Sequence, residues 1–146
     1  MFDELYDPFK DKVVGDFCCG TGLFSIAAHF FGPKQISAVD ICPDALKDAR
    51  KNFEKAKIEV ECIEANLMDA LKPEGRGSEN VPDKLKNETF DTIVMCPPLT
   101  PTLYSVDLEC LITASQALKP SGQVFCILKF KHHGWNNYGM TKDKIF

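Results

Sequence analysis

The stretch Val13–Gly22, which reads VVGDFCCGTG, decides the fold. Its first five residues form a short, mostly apolar run typical of a buried strand, and the glycines after them favour a tight turn into a helix. A second largely apolar run, Ile36–Val39, is followed directly by Asp40, 18 residues after Gly22. A strand, a turn, a helix and a second strand in this order predict a parallel βαβ unit.

The same alternation continues along the chain. Strands are predicted at residues 13–17, 36–40, 58–63, 90–95 and 123–129, with helices after the first, second and fourth of them. Residues 70–88 have no apolar period and contain several helix breakers, so they are predicted to form a mobile loop. We therefore expect an α/β fold: a doubly wound, mainly parallel sheet of about five strands in the order 3-2-1-4-5.

Apolar residues spaced three and four apart predict which face of each helix is buried. The predicted faces are Leu23, Ile26, Ala27, Phe30 and Phe31 in the first helix, Ala45, Leu46, Ala49 and Phe53 in the second, and Leu108, Leu111, Ile112, Ser115 and Leu118 in the third.

Size and composition limit the class of protein. A length of 146 residues predicts one domain, assigned to residues 1–131, with residues 132–146 as a basic and aromatic tail. The net charge of −4 gives no general attraction to nucleic acid. No apolar run is long enough to span a membrane, and no metal site is expected because the cysteines and histidines lack zinc-ligand spacing. Seven cysteines without a secretory leader predict a reducing location, cytoplasmic or nuclear.

The turn at the end of the first strand does not suit a dinucleotide. The GxGxxG pattern would need glycine at positions 18, 20 and 23, where the chain has Cys18, Gly20 and Leu23. A nucleoside with an amino-acid tail fits better, with Asp16 facing the ammonium group and Asp40 accepting the ribose hydroxyls. The alternative is a tight glycine turn beside a solvated aspartate, without a ligand.

Two segments carry a family resemblance. Val13–Ala28 resembles motif I of the class I S-adenosylmethionine-dependent methyltransferases, and Ala38–Leu46 resembles their ribose-binding segment. The resemblance implies S-adenosyl-L-methionine as cofactor, with the methionine moiety at motif I, the ribose and adenine at Asp40 and Ile41, and the adenine edge at Asn66 and Leu67. The implied cofactor-binding residues are Asp16, Cys18, Gly20, Gly22, Asp40, Ile41, Asn66 and Leu67. Cys18 stands where the family commonly has glycine.

A third segment, Phe90–Leu99, resembles the strand-four motif of amino methyltransferases, (N/D)PP(F/Y/W). The resemblance implies that Cys96, Pro97, Pro98 and Leu99 are the catalytic residues. In that motif the first side chain and a main-chain carbonyl accept the hydrogens of the target amine, and the aromatic residue stacks on a flipped base. Cys96 is a weak acceptor and Leu99 has no aromatic face, so both depart from the motif.

The amino-acid sequences of these segments are most similar to those of the methyltransferase-like protein five family, which are N6-adenine methyltransferases of ribosomal RNA. The resemblance implies ribosomal RNA as substrate, a small zinc-binding activator subunit as partner, and a chain that is truncated at both ends relative to the family. Two alternatives remain open: a weakened or inactive binding protein with the methyltransferase fold, and a protein or small-molecule methyltransferase. The tail after residue 131 mixes cations and aromatics, which suits single-stranded RNA but also an ordinary terminus.

Overall fold

The computed structural model of the chain describes residues 7–73, 76–98 and 106–127. The strands are β1 (Val13–Phe17), β2 (Gln35–Asp40), β3 (Glu61–Glu64), β4 (Phe90–Met95) and β5 (Leu118–Cys126). The helices are α1 (Leu23–His29), α2 (Pro43–Ala56) and α3 (Val106–Ala117). Short 3₁₀ helices occupy Leu67–Leu71, Ser78–Asn80 and Asp83–Leu85.

The described strands form one parallel sheet in the order β3-β2-β1-β4-β5, which confirms the predicted fold class and strand order. Helices α1 and α2 pack on one face and α3 packs on the other. In the register of the sheet, Phe17 of β1 lies opposite both Val39 of β2 and Met95 of β4. Because the chain winds in opposite directions from β1, its ligand-binding crevice is expected at the carboxyl ends of these three strands.

The buried faces of the helices agree with the prediction only in α2. Leu46, Ala49 and Phe53 of α2 are buried as predicted. In α1 the buried residues are Ser25 and Ala28, whereas Leu23, Phe30 and Phe31 are exposed. In α3 the buried residues are Val106, Cys110, Thr113, Ala114 and Ala117, whereas Leu108 and Ile112 are exposed. The predicted faces of α1 and α3 were therefore wrong for most of their residues, although Ile26 and Leu111 are partly buried against the core as predicted. Most of the buried positions on these two helices hold small side chains, which pack without the large apolar residues that the pattern relied on.

Segment 70–88 has more structure than predicted. Besides its 3₁₀ helices, it contributes Val81 and Leu85, which are buried in the main core cluster beside Phe90 and Ile93. The prediction of an irregular loop was thus wrong for most of the described part of this segment, while its mobility stays a prediction. Several strand boundaries also differ from the prediction: β2 begins at Gln35 rather than 36, β3 spans Glu61–Glu64 rather than 58–63, and β5 spans Leu118–Cys126 rather than 123–129.

Leu85 offers a test of this packing. Its side chain is fully buried, so Leu85→Ala is expected to lower the free energy of unfolding by about 2–3 kcal/mol through lost apolar burial and a cavity. Leu108→Ala, at a leucine that is 58% exposed, is the matched control with an expected change below about 0.5 kcal/mol. Urea denaturation measures both changes, and equal effects of the two substitutions would contradict the packing described for segment 76–98.

Candidate active site

A cavity of about 230 Å³ opens at the carboxyl ends of β1, β2 and β4. Its walls come from the residues after these strands, from the segment after β3 and from α3. The lining residues are Cys18, Val39, Asp40, Ile41, Ala65, Asn66, Leu67, Met68, Cys96, Pro98, Val106 and Cys110. The cavity therefore joins the end of β2, where the ribose acid is predicted, to the end of β4, where the methyl acceptor is predicted.

Asp40 connects β2 to the turn after β1. Its Oδ2 accepts a hydrogen bond from the backbone N–H of Gly20 at 2.8 Å, and its Oδ1 accepts one from the N–H of Cys42 at 2.9 Å. Each carboxylate oxygen has a second lone pair, so both oxygens keep the capacity to accept a ligand hydroxyl. The carboxylate is thus fixed in orientation and lies on the cavity wall, as a ribose-binding acid requires.

The turn after β1 needs unusual backbone conformations. Cys18, Gly20 and Gly22 have φ angles of 58°, 53° and 84°, in the left-handed region that glycine adopts at little cost. This conformation explains why glycine suits position 18. Among the described residues, no atom lies within 4 Å of a Cβ built on Gly20, so the backbone there is open to a ligand.

Asp16 is a buried carboxylate behind this turn. Its Oδ2 accepts hydrogen bonds from the backbone N–H of Ser25 at 2.8 Å and from the Ser25 hydroxyl at 2.6 Å. Within the described part of the chain, its Oδ1 is buried and has no hydrogen-bond partner. Burial raises the pKa of Asp16 to about 6, against the opposing effect of the Ser25 hydrogen bonds. A buried acceptor without a donor is costly unless a ligand supplies one.

The segment after β3 forms the opposite wall. The N–H of Ala65 donates to the carbonyl of Asp40 at 3.0 Å, which holds this segment beside the end of β2. The Asn66 side chain caps the next 3₁₀ helix by accepting from the N–H of Met68 at 3.1 Å. Beside this wall, Ile41 presents an apolar side chain that is 59% exposed. Most of the residues that line this side of the cavity are therefore apolar.

The end of β4 supplies the last part of the cavity. Cys96 is half-buried and Pro97 is buried, while the carbonyl of Met95 accepts a hydrogen bond from the N–H of Ile127 at 3.0 Å. That carbonyl is therefore engaged within the sheet. A main-chain acceptor for a target amine has to come from the turn that follows β4.

Thiols also meet in this cavity. The Cys110 thiol beside Cys18, together with burial, raises the pKa of the Cys18 thiol above its ordinary value. Cys18 thus stays protonated near neutral pH and lacks the thiolate character that a nucleophile needs.

The structure gathers most of the predicted site residues. Seven of them line the cavity: Cys18, Asp40, Ile41, Asn66, Leu67, Cys96 and Pro98. Four lie outside its lining: Asp16 beneath the turn, Gly20 against the Asp40 carboxylate, Gly22 against Phe53, and the buried Pro97. Leu99 lies outside the described residues. The binding and catalytic roles of all twelve stay predictions.

The sequence prediction missed several lining residues. Val39, Ala65 and Met68 are neighbours in sequence of predicted residues, so proximity to them was the available signal. Val106 and Cys110 belong to the buried face of α3, which the apolar pattern assigned to other residues.

No group of histidine, cysteine and acidic residues able to hold a metal occurs among the described residues. None of the described helices is long and apolar enough to span a membrane.

Residues 1–138 match the family described as "Methyltransferase small domain". The chain belongs to this family. It is 32% identical over 131 residues to the rRNA N(6)-adenosine-methyltransferase metl-5 of Caenorhabditis elegans, a match covering 88% of this chain and 56% of the worm protein. It is 37% identical over 115 residues to a Methanocaldococcus jannaschii protein whose name assigns it provisionally to the protein N5-glutamine methyltransferases, covering 70% of this chain and 51% of that protein.

The same fold is found in solved structures. The ribosomal protein L11 methylase of Lactobacillus delbrueckii subsp. bulgaricus superposes with a TM-score of 0.59 at 24% identity, over 80% of this chain and 51% of that one. The chain spans about half the length of the worm and Methanocaldococcus relatives.

The family and fold imply S-adenosyl-L-methionine as the cofactor, and the residues present fit it. The unpartnered Oδ1 of Asp16 can accept from an ammonium group, and Asp40 has free lone pairs for a ribose diol. Ile41, Asn66 and Leu67 line the cavity beside Asp40, where the adenine is predicted. The types of group present therefore suit the ammonium, the ribose and the base of this cofactor.

The raised pKa of Asp16 predicts that cofactor binding depends on pH. The carboxylate is ionised above its pKa of about 6 and protonated below it. If only the ionised form accepts the cofactor ammonium, lowering the pH from 7.5 to 5 leaves about a tenth of the protein competent, so the Kd rises about tenfold. Calorimetric titration at several pH values measures this rise. Asp16→Asn should flatten the profile, and a wild-type Kd constant over this range would contradict the role of Asp16.

Proposed function

We propose that the chain carries the catalytic core of an S-adenosylmethionine-dependent methyltransferase that methylates the N6 amine of adenine in RNA, with ribosomal RNA as the favoured substrate. The observation that carries this proposal is the single cavity that runs from Asp40 to Cys96 and Pro98. Because it joins a cofactor wall to the end of β4, a donor and an acceptor can meet there. The similarity to an rRNA N(6)-adenosine-methyltransferase supports the choice of acceptor.

In this proposal the chain's own residues bind the cofactor and orient the target base. When bound, the cofactor would supply a sulfonium methyl group: the amine nitrogen would bond to the methyl carbon as the carbon–sulfur bond breaks, releasing a neutral thioether, and the methylated amine would lose a proton to solvent. Asp16 binds the amino-acid end of the cofactor and Asp40 binds its ribose, and the rigid turn at Pro97 and Pro98 holds the target base. Positioning of this kind supplies a large part of the rate enhancement in a displacement between two bound groups.

Transfer of a radiolabelled methyl group to ribosomal RNA tests the proposal. We expect incorporation of the label by the wild-type chain and recovery of the label as N6-methyladenosine after nuclease digestion. Asp40→Ala is the matched control and should abolish incorporation. Label that appears only in protein would contradict the RNA assignment, and an absence of label in any acceptor, from protein shown to bind the cofactor, would contradict the activity.

A second candidate is a methyltransferase-fold protein that binds the cofactor and catalyses weakly or not at all. The observation that favours it is Cys96, which replaces the carboxamide or carboxylate of the amino methyltransferase motif with a weak acceptor. The double change Cys96→Asn with Leu99→Phe separates the two candidates. A gain of adenine methylation argues for a degenerated adenine site, whereas loss of a wild-type activity argues for a site retargeted to another acceptor.

A third candidate is a protein or small-molecule methyltransferase. The similarity to a protein provisionally named as a glutamine methyltransferase favours a protein acceptor. Digestion of labelled protein followed by mass spectrometry separates methylglutamine from methyladenine.

The resemblance also supports a partner and a location as proposals. A small zinc-binding activator subunit would add to an edge of the sheet, and binding is expected to raise the melting temperature in co-purified complexes. We expect the protein to be located in the cytoplasm or nucleus, where it would encounter its RNA substrate. Fluorescence microscopy of the tagged protein tests this location.

A further inference from the structure

Thr113 forms a buried contact that joins α3 to the cofactor wall. Its hydroxyl donates a hydrogen bond to the carbonyl of Leu67 at 2.8 Å, across 46 residues of sequence. The Thr113 side chain is fully buried and Leu67 is 5% exposed. A threonine inside a helix ordinarily bonds a carbonyl of its own helix, as the nearby Ser115 does with Ile112. The Thr113 hydroxyl instead donates its hydrogen bond to the segment after β3.

The accepting carbonyl belongs to a peptide unit that is bonded at both ends. The unit between Leu67 and Met68 presents its C=O to the Thr113 hydroxyl and its N–H to the Asn66 side chain, at 3.1 Å. Two bonds on opposite ends of one planar group fix its rotation. Leu67, Met68 and Asn66 all line the cavity, so the shape of this wall depends on how that peptide is turned.

The position of Thr113 on its helix links the two sides of the cavity. Val106 and Cys110 line the cavity from α3, and Thr113 follows on the same buried face, about one turn beyond Cys110. Helix α3 therefore contacts the ligand space with two residues and holds the adenine wall with a third.

We propose that Thr113 is a positioning residue, whose hydroxyl holds the Leu67–Met68 peptide in the orientation that receives the adenine of the cofactor. This inference rests on the proposed function, since it requires the cavity to bind S-adenosylmethionine. Without the hydroxyl, the Leu67 carbonyl loses its bond to α3, so this wall is no longer tied to that helix and the peptide is free to turn.

The test compares Thr113→Val with a matched control. Valine keeps the shape of threonine and removes the hydroxyl. Thr92→Val is the control because Thr92 is also buried and donates to a distant carbonyl, that of Pro8, but does not line the cavity. Calorimetry with S-adenosylmethionine and with 5′-methylthioadenosine, which lacks the amino-acid tail, measures the affinities.

We expect Thr113→Val to weaken both ligands about five- to tenfold, Thr113→Ser to stay within about twofold of wild type, and Thr92→Val to do the same. Equal losses in Thr113→Val and Thr92→Val, or wild-type affinity in Thr113→Val, would overturn the inference. If Thr113→Val does not fold, Thr113→Cys is the second variant: like Thr113→Ser it lacks the γ-methyl group, but its thiol is only a weak donor, so the same loss as in Thr113→Val is expected. A wild-type chain that binds neither ligand would instead overturn the proposed function.

Discussion

Asp40→Ala is expected to weaken S-adenosylmethionine binding at least about 100-fold. Two hydrogen bonds from ribose hydroxyls to a carboxylate contribute about 1.5–3 kcal/mol each, and each 1.4 kcal/mol is a factor of ten in affinity. The substitution also removes the acceptor of the Gly20 and Cys42 N–H groups. Because those bonds hold the turn after β1 against the end of β2, their loss adds to the effect.

Isothermal titration calorimetry measures this change, with Asp48→Ala as the control. Asp48 is an exposed carboxylate on α2 that pairs with Lys51, and its loss should leave the affinity within about twofold of wild type. Circular dichroism checks that each variant is folded. An Asp40→Ala variant that binds the cofactor within about threefold of wild type would show that this carboxylate does not hold the ribose.

Gly22→Ala is expected to lower the free energy of unfolding by about 2–5 kcal/mol. A Cβ at this position would lie 2.4 Å from two ring carbons of Phe53, a side chain buried in the core cluster of α2. The φ angle of 84° adds backbone strain for any residue with a side chain. Left-handed strain of about 1–2 kcal/mol and overpacking of about 1–3 kcal/mol combine in this one methyl group.

Gly32→Ala separates these two contributions. Gly32 also has a left-handed φ angle, 71°, but among the described residues no atom lies within 4 Å of the position that an alanine methyl would take there. Its substitution should therefore cost only the backbone strain, about 1–2 kcal/mol. Urea denaturation measures both variants, and similar losses at Gly22 and Gly32 would contradict the close packing of Gly22 on Phe53.

The parts of the fold that sequence predicted are those with a strong local contrast. Helix α2 carries charged residues on one face and apolar ones on the other, so its buried face could be identified. Helix α1 has no acidic residue or lysine. Large and small apolar residues are mixed over its surface, so no face is clearly apolar or clearly polar. Periodicity alone could not indicate that Ser25 and Ala28, rather than Phe30 and Phe31, face the sheet.

The structure of residues 76–88 was not predicted, for a related reason. Val81 and Leu85 are single apolar residues among prolines and charged side chains, so no period marks them. Their burial arises from the space between α3 and β4, which exists only in the assembled fold.

The candidate site likewise contains residues that the sequence predicted and residues that it did not. Asp16 and Asp40 lie near the carboxyl ends of β1 and β2, and Gly20 lies in the turn after β1, so local spacing within one βαβ unit was enough to predict that they share one edge of the sheet. Cys110 and Thr113 reach the site from a distant helix. Thr113 bonds a backbone carbonyl, and because every residue of a chain offers an equivalent carbonyl, sequence held no signal for that pair.

Calorimetric titration of S-adenosylmethionine into the wild-type chain at pH 7.5 tests the central claim most directly. The cavity between Asp40 and Cys96, with the unpartnered Oδ1 of Asp16 behind it, predicts saturable binding at one site. No heat of binding at millimolar cofactor, from protein that circular dichroism shows to be folded, would contradict it.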